Sequence, residues 1–416
     1  MGVAVLLLLL AGAVVTLTSG IDPNRYRPKI EAIVGDLTGM PLKIEGNLRI
    51  EWFPWLRLQV GAARLGAKTA AGETAANPGA PLIEWRSAQV GARLLPLLKG
   101  DFVVDRVVLE GPRIHLRRDA QGRGNWETLA EHLTRAGPPA TDTLAEAQAT
   151  DTPAVSAGRA PPQIAGIEIR DGALDYADDM SGIHLSLSDW QFRMGAWTPG
   201  ATFPLHTSLL ARGDSLPEAG LAVQLDTPKL TLVTTPLSVT APEYSLQVAD
   251  VQVKGKLSFA QTPDPGALSH FRAGGSATVM APSVRRLAAD FVPDTSLPLD
   301  PATLGRLELT SDWTFTGGAL AVRPLTMRLD GVTFTGWMER SAPPDSEWTF
   351  ELHGDRIDLG RYMALEQRPR KKPFELPMEA FRSLRANGSL TFAQAQWADA
   401  RMKDIRLRLQ TAERPP

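Results

Sequence analysis

The chain of 416 residues contains no cysteine, which excludes disulfides, thiol nucleophiles and cysteine-ligated metals. An oxidising compartment stays open to it, because nothing there could mispair. It also lacks an excess of either charge. Its 44 Lys and Arg against 46 Asp and Glu leave a formal net charge of -2, without the basic surplus that phosphate contacts demand, so nucleic acid is not an expected partner. Catalytic motifs are missing too. There is no G-x-S-x-G elbow, no H-E-x-x-H and no G-x-x-x-x-G-K phosphate loop, and the pair Gly122 and Gly124 is too short for a dinucleotide fingerprint. The six histidines, His115, His132, His184, His206, His270 and His353, lie far apart, and none has a second ligand at metal-site spacing. The acidic pairs Asp178 with Asp179 and Asp355 with Asp358 read as turn and cap residues rather than as cation ligands or an acid–base couple. No metal, cofactor or catalytic residue is expected, and the chain reads as a binding protein, not an enzyme.

From Gly2 to Ile21 no side chain is charged. Twenty such residues in a helix rise roughly 30 Å, enough to cross a bilayer core. The basic leader of a cleaved signal is absent, so the stretch is read as a retained transmembrane anchor over residues 1–21. By the positive-inside rule Arg25, Arg27 and Lys29 would place the body in the cytoplasm. Next, Asp22 can cap and Pro23 can open a helix with Ile30, Ile33, Val34 and Leu37 on one face, ended by Gly39. That helix could lie in a membrane interface or cover the strands that follow. Trp52, Phe53 and Trp55 face the same choice between an interfacial belt and a core.

The rest is β-rich, with short alternating runs of Leu, Val and Ile separated by glycine, proline and acids. In Asp101 to Trp126, Ile114 and Leu116 alternate with Arg113, His115 and Arg117, the period of a strand with one wet and one dry face. Gly122 and Gly124 then lead to Asn125, a predicted N-cap for a short helix with Trp126, Leu129 and Leu133 on one side. Five segments centred on Gly111, Gly172, Gly255, Gly331 and Gly388 suggest a weak repeat, each unit adding a bent strand or hairpin. Further helices are expected at Ser283–Phe291 and Pro377–Leu384. Residues 134–163, rich in Ala, Pro, Thr and Asp, read as a disordered linker between a lobe at 22–133 and a longer region at 164–416. The basic run Arg368, Arg370, Lys371 and Lys372 reads as a solvated loop that could touch anionic headgroups, and Asn387-Gly388-Ser389 reads as a turn.

The block Asp101 to Trp126, following the LLPLL segment Leu94 to Leu98, resembles the signature of the AsmA-like family of bacterial envelope proteins. The resemblance extends to Ile21–Gly39, Glu51–Gly66, DGALDYAD (Asp171 to Asp178), LDGVTFTG (Leu329 to Gly336) and DRIDLGRYM (Asp355 to Met363). Each motif is weak alone, and their collinear order over nearly the whole chain carries the similarity. It implies an inner-membrane anchor with the bulk in the periplasm, against the charge rule. It also implies membership of the bridge-like lipid-transfer group with the related TamB-like proteins, whose relatives continue beyond the segment Asp404 to Gln410 into another β-region.

The expected fold is mainly β: a transmembrane helix, then an elongated, curved antiparallel sheet forming a β-groove with a few capping helices. The expected function is phospholipid transport between inner and outer membrane, with acyl chains as partners of the groove. The candidate lining residues are Ile114, Leu116, Ile167, Ile169, Leu174, Val251, Val253, Leu257 and Phe259, each in the apolar phase of its strand. They could equally pack into a closed sandwich core. The alternative function is a membrane-tethered scaffold or assembly factor for outer-membrane proteins.

Overall fold

The computed structural model describes residues 22–51, 56–66, 81–92, 104–135, 165–198, 200–214, 216–234, 236–261, 271–291, 300–343, 346–362, 386–397 and 400–410. Among these the chain is mainly β, with a few short helices. It forms two compact units, Met1–Gln191 and Phe192–Pro416. The anchor expected at 1–21, the aromatics Trp52, Phe53 and Trp55, the basic run at 368–372 and the helix expected at 377–384 lie outside the described residues. No helix within them is long and apolar enough to cross a membrane.

In the first unit the Asp22 carboxylate accepts the Asn24 N–H at 3.0 Å and starts a 3-10 turn over Pro23–Tyr26. Helix α1, Arg27–Thr38, follows and ends on Gly39, whose φ of 68° makes a left-handed cap. The single helix expected from Asp22 is therefore two pieces. Four broken strands come next: β1 (Leu42–Ile44) with β2 (Leu48–Glu51), β3 (Leu56–Val60) with β4 (Ala63–Leu65), β5 (Ile83–Trp85) with β6 (Ser87–Ala92), and β7 (Val104–Glu110) with β8 (Arg113–Arg118). On one side of the break the ladder runs β2, β3, β6, β7, and on the other β1, β4, β5, β8. Strand β9 (Ile167–Asp178) spans both sides, its first half parallel to β7 and its second parallel to β8. It lies beyond the expected linker yet completes this sheet, which is why the unit reaches Gln191. Strand β10 (Ile183–Met194) pairs with β9.

The break is a line of special backbone. A Cβ on Gly46 would sit 2.4 Å from the Ala62 nitrogen, and one on Gly61 would sit 2.7 Å from the Gly46 Cα, so only glycine lets these strands approach. Gly111 and Asp171 face each other with φ of 58° and 54°. Gly111 N–H donates to the Arg170 carbonyl and Ala173 N–H to the Pro112 carbonyl, both at 2.8 Å, which carries the ladder across.

Helix α2, Glu127–Arg135, corrects one expectation. Asn125 does not cap it: its side-chain oxygen accepts the Arg117 N–H at 3.0 Å and its amide donates to the His115 carbonyl at 2.8 Å, tying the turn to β8. The helix start is closed instead by Glu127, which accepts the Gly124 N–H at 2.9 Å. Helix α2 runs two residues into the expected linker, and the rest of that stretch lies outside the described residues. Helices α1 and α2 cover the β1–β4–β5–β8 side. Met40, Leu42, Ile44, Ala63, Leu65 and Leu82 are buried there together with Leu48 from the start of β2, with Ile30, Val34, Leu116, Trp126 and Leu129 packed against them.

The second unit is a meander of long strands: β11 (Thr202–Gly213), β12 (Leu221–Thr234), β13 (Leu237–Val248), β14 (Val251–Gln261), β15 (Phe271–Ala281), β16 (Leu307–Thr316), β17 (Ala319–Leu329), β18 (Val332–Arg340) and β19 (Trp348–Asp358). Each pairs antiparallel with the next. Strand β20 (Ala386–Trp397) then lies parallel to β19, and β21 (Ala400–Leu409) antiparallel to β20. Helix α3, Val284–Phe291, falls where the sequence predicts it, and a single turn α4 covers Leu359–Tyr362.

The sheet is therefore mixed rather than antiparallel. Parallel pairing occurs at β7–β9, β8–β9 and β19–β20, and in each case a long connection separates the strands, as a parallel neighbour requires. Proline also sits inside strands, where it removes a ladder donor. The ladders shift at Phe203/Leu205, Ala241/Tyr244 and Val322/Leu325, beside Pro204, Pro242 and Pro324. Buried hydroxyls repair such places, since Thr227 Oγ1 donates to the Glu243 carbonyl and Ser311 Oγ to the Pro324 carbonyl, both at 2.8 Å. The five-glycine repeat dissolves into unlike roles. Gly331 is in a hairpin turn and Gly111 in a break, both at positive φ, whereas Gly255 is mid-strand, where a Cβ would lie 1.8 Å from the Ser276 carbonyl oxygen.

Candidate functional site

The register of the second unit sorts its side chains into rows that cross the strands. Leu225, Leu246, Val253, Val279, Leu309, Met327 and Phe334 form one row, each the ladder partner of the one before. Six strand spacings of about 4.8 Å make this an apolar lane of roughly 29 Å. A second lane beyond the proline and glycine kinks runs Ala241, Leu257, Gly275, Trp313, Val322, Met338 and Phe350. The neighbouring row points the other way and is polar on every strand from β11 to β21: His206, Asp226, Ser245, Lys254, Thr278, Thr310, Thr326, Thr335, His353, Thr391 and Arg406. Period-2 alternation within each strand becomes, through register, a sheet with one apolar and one polar face.

The apolar face is half-covered. Side chains inside a two-sheet sandwich are packed on both sides, yet from β12 to β17 the lane residues are half-buried, with Ala241 buried beside a kink. Each is flanked by its ladder neighbours, and among the described residues no second sheet lies over them. Among the described residues of the second unit a closed cluster forms towards β18 and β20, where Val332, Phe334 and Phe392 are buried with Met327, Ile357 and Leu390 against them. The rings of Phe334 and Phe392 meet edge to face at 5.9 Å between centroids.

The nine candidate residues fall into three environments. Val251, Val253, Leu257 and Phe259 share the apolar face of β14 and are half-buried, while Lys254, Lys256 and Ser258 on its other face are exposed. Ile167 and Ile169 stand opposite Val107 and Leu109, also half-buried, on the side of the break where β2, β3 and β6 present Ile50, Leu58 and Val90. Ile114 pairs with Ile83 and Leu174, and Leu116 packs into the core beneath the helices. Sequence reasoning missed the lane residues of β15 to β19. Their alternation was visible, but which residue stands beside which depends on register.

Two family-like motifs meet at one end of the second unit. Asp330 and Gly331, at φ 51° and 81°, make the two-residue hairpin turn between β17 and β18. The Asp330 carboxylate accepts Leu304 N–H at 2.7 Å, Gly305 N–H at 2.8 Å and the Tyr362 hydroxyl at 2.7 Å. Burial, then the hydrogen bond to Asp330, pushes the Tyr362 phenol above its ordinary range. Next to it Arg361 donates to Asp300 at 2.9 Å and, with the Ala302 N–H, holds that carboxyl below the usual carboxylate range. A cavity of 470 Å³ opens beside this clasp, lined in part by Asp330, Arg356, Tyr362 and Gln394. Its polar groups are engaged in holding loops and neighbouring strands, Arg356 donating to Gln394 at 3.1 Å and Asp355 accepting the Thr333 N–H at 3.3 Å.

The other polar candidates are similarly occupied. Asp178 accepts the Met180 N–H at 2.9 Å, Asp358 the Gly360 N–H at 3.0 Å, and Asp355 the Arg356 N–H at 2.6 Å. His206 Nδ1 lies 2.5 Å from Asp226, whose carboxyl this contact, then Gln224, holds below its ordinary value. Among the described residues no group of three potential ligands is placed to hold a metal.

The comparison with protein families decides the affiliation. The AsmA family matches residues 1–268, which takes in α1, α2 and every strand through β14. The chain belongs to the AsmA family. No curated protein and no solved structure matches it. AsmA membership and an extensive sheet with one apolar face fit a role in lipid transport or envelope assembly.

Proposed function

We propose that this AsmA protein is an inner-membrane-anchored periplasmic lipid-binding protein that contributes to phospholipid transport between the inner and outer membranes, holding acyl chains on the apolar face of its sheet. The supporting observation is the apolar lane running from β12 to β18, direct partner by direct partner and half-buried as far as β17. Contiguous apolar surface that is left incompletely covered in this way marks an interaction site. An acyl chain laid on it is stabilised by about 0.8 kcal/mol per CH₂ removed from water. No polar pocket is required for such binding, and a lane of equivalent side chains lets a chain slide without a deep minimum.

The test is lipid mass spectrometry on natively purified protein, with a photocrosslinking residue at position 169 or 257. Co-purified phospholipid and lipid adducts at both positions are expected, with none from Lys254 on the polar face. Lipid-free protein with no adduct at either position would sink the proposal. One observation favours a second reading, a tethered scaffold for outer-membrane protein assembly. Among the described residues β21 pairs on one side only, with β20, and an open edge can take up a partner's strand. Retained binding of β-barrel precursors by lipid-free protein would select that reading.

A further inference from the structure

We infer that helix α1 rests by its outer stripe on an anionic bilayer surface. This deepens the anchored reading above and depends on it. The inward side of the helix is engaged by the first unit. Ile30 and Val34 pack on the core, Glu31 accepts the Ile44 N–H at 2.8 Å, and Arg27 donates to the Gly46 carbonyl at 2.8 Å. Yet Tyr26 is 51% and Ile33 49% exposed. Tyr26 ends the 3-10 turn and is the N-cap residue of α1, and Ile33 follows seven residues on, close to two helical turns further along the same side, with Arg25 in that turn and Lys29 in α1 exposed beside them.

A helix whose only role is to cover strands gains nothing from leaving those two side chains wet. At a bilayer interface each has a place: the tyrosine ring at headgroup level, the isoleucine in the acyl boundary, the two cations over anionic headgroups. The exposed acid Asp36 stands about 10 Å further along the axis from Lys29, at the end remote from the cations. The chain itself names the occupant. Residues 2–21 carry no charge and stop just short of the turn at Pro23–Tyr26, so a bilayer crossed by that stretch lies within a few residues of Tyr26 and Lys29. The helix would then do two things at once, closing the core of the first unit and fixing that core against the membrane.

The absence of cysteine makes the test clean. Full-length variants Leu8→Cys, Ile33→Cys and Lys254→Cys each carry a single environment-sensitive fluorophore and are reconstituted in vesicles of phosphatidylethanolamine and phosphatidylglycerol with brominated acyl chains. Quenching of about twofold or more is expected at positions 8 and 33, and none at 254. Quenching at 8 with position 33 behaving like 254 overturns the docking of α1 and leaves the anchor standing. No quenching at 8 overturns the anchored reading and this inference with it. Arg25→Glu combined with Lys29→Glu is expected to reduce quenching at 33 in these vesicles but not in vesicles of phosphatidylcholine alone. Unchanged quenching in both overturns the preference for anionic lipid.

Discussion

The helix-covered side of the first unit and the open lane of the second are built from the same sequence pattern and end in different environments. Leu116 and Leu257 each occupy the apolar phase of a strand. Both are half-buried, but Leu116 packs against a core roofed by α1 and α2, while among the described residues Leu257 on β14 packs against no such buried cluster. What separates them is a second layer, supplied in the first unit by two helices whose own apolar stripes need a partner. In the second unit the strands run too far for one helix to roof them, and α3 has no buried residue. An apolar phase in a strand therefore specifies a face, not a core.

This difference can be broken by mutation, and the largest effect is expected in the covered core. Leu48, 2% exposed, should lose about 2–5 kcal/mol of stability on Leu48→Ala, with Leu257→Ala losing roughly 1 kcal/mol. Denaturant unfolding of the two variants checks it, and equal losses would mean that the lane is as closed as the core. Next is the clasp that holds the end of the lane. Asp330→Ala leaves two backbone donors and the Tyr362 hydroxyl without an acceptor, and about 1–3 kcal/mol should go, read as a lowered melting temperature.

A third change sharpens the comparison from the opposite side. Val253→Asp with Leu257→Asp should abolish lipid co-purification while the protein still folds, at a cost of about 2 kcal/mol, the loss expected when two half-buried side chains of an open face are replaced. Loss of folding instead would place them in a sealed interior. The smallest effect is a pH dependence. The folded Asp300 carboxyl titrates below its unfolded value through Arg361, so its stabilisation is present above the usual carboxylate range and is lost as pH falls through the lowered folded pKa. Asp300→Asn should flatten the acid limb of the melting temperature against pH slightly, as befits an accessible pair.

Much of the fold is legible in the sequence. The alternation around Ile114 and Leu116, the left-handed stop at Gly39 and the helix at 284–291 all follow from local rules. Asn125 departs from the capping role its type suggests, because a good capping residue is equally good at binding two backbone groups of a neighbouring strand, and the turn at Gly122 brings that strand beside it. The glycine repeat misled for a related reason. Gly255 and Gly331 share a sequence context, but one is needed where backbones nearly touch and the other where φ is positive.

The candidate site was legible by face and illegible by neighbour. Val253 and Leu257 could be assigned to the dry side of β14 from the sequence alone, but their continuation into Val279, Leu309 and Met327 could not. Side-chain period is a local property of the chain, whereas register is set by turns, kinks and pairings between residues far apart.

By itself the sequence determined that the chain has no thiol or disulfide chemistry, that it is built of strands with one apolar phase, and that it resembles the AsmA family. These follow from composition and short-range pattern. Only the tertiary structure decided that the sheet is mixed, that two helices close one part of it, and that the apolar phases of successive strands align into a half-covered lane. Each of those depends on which strands meet, and pairing energy is shared between segments that no single stretch of sequence contains.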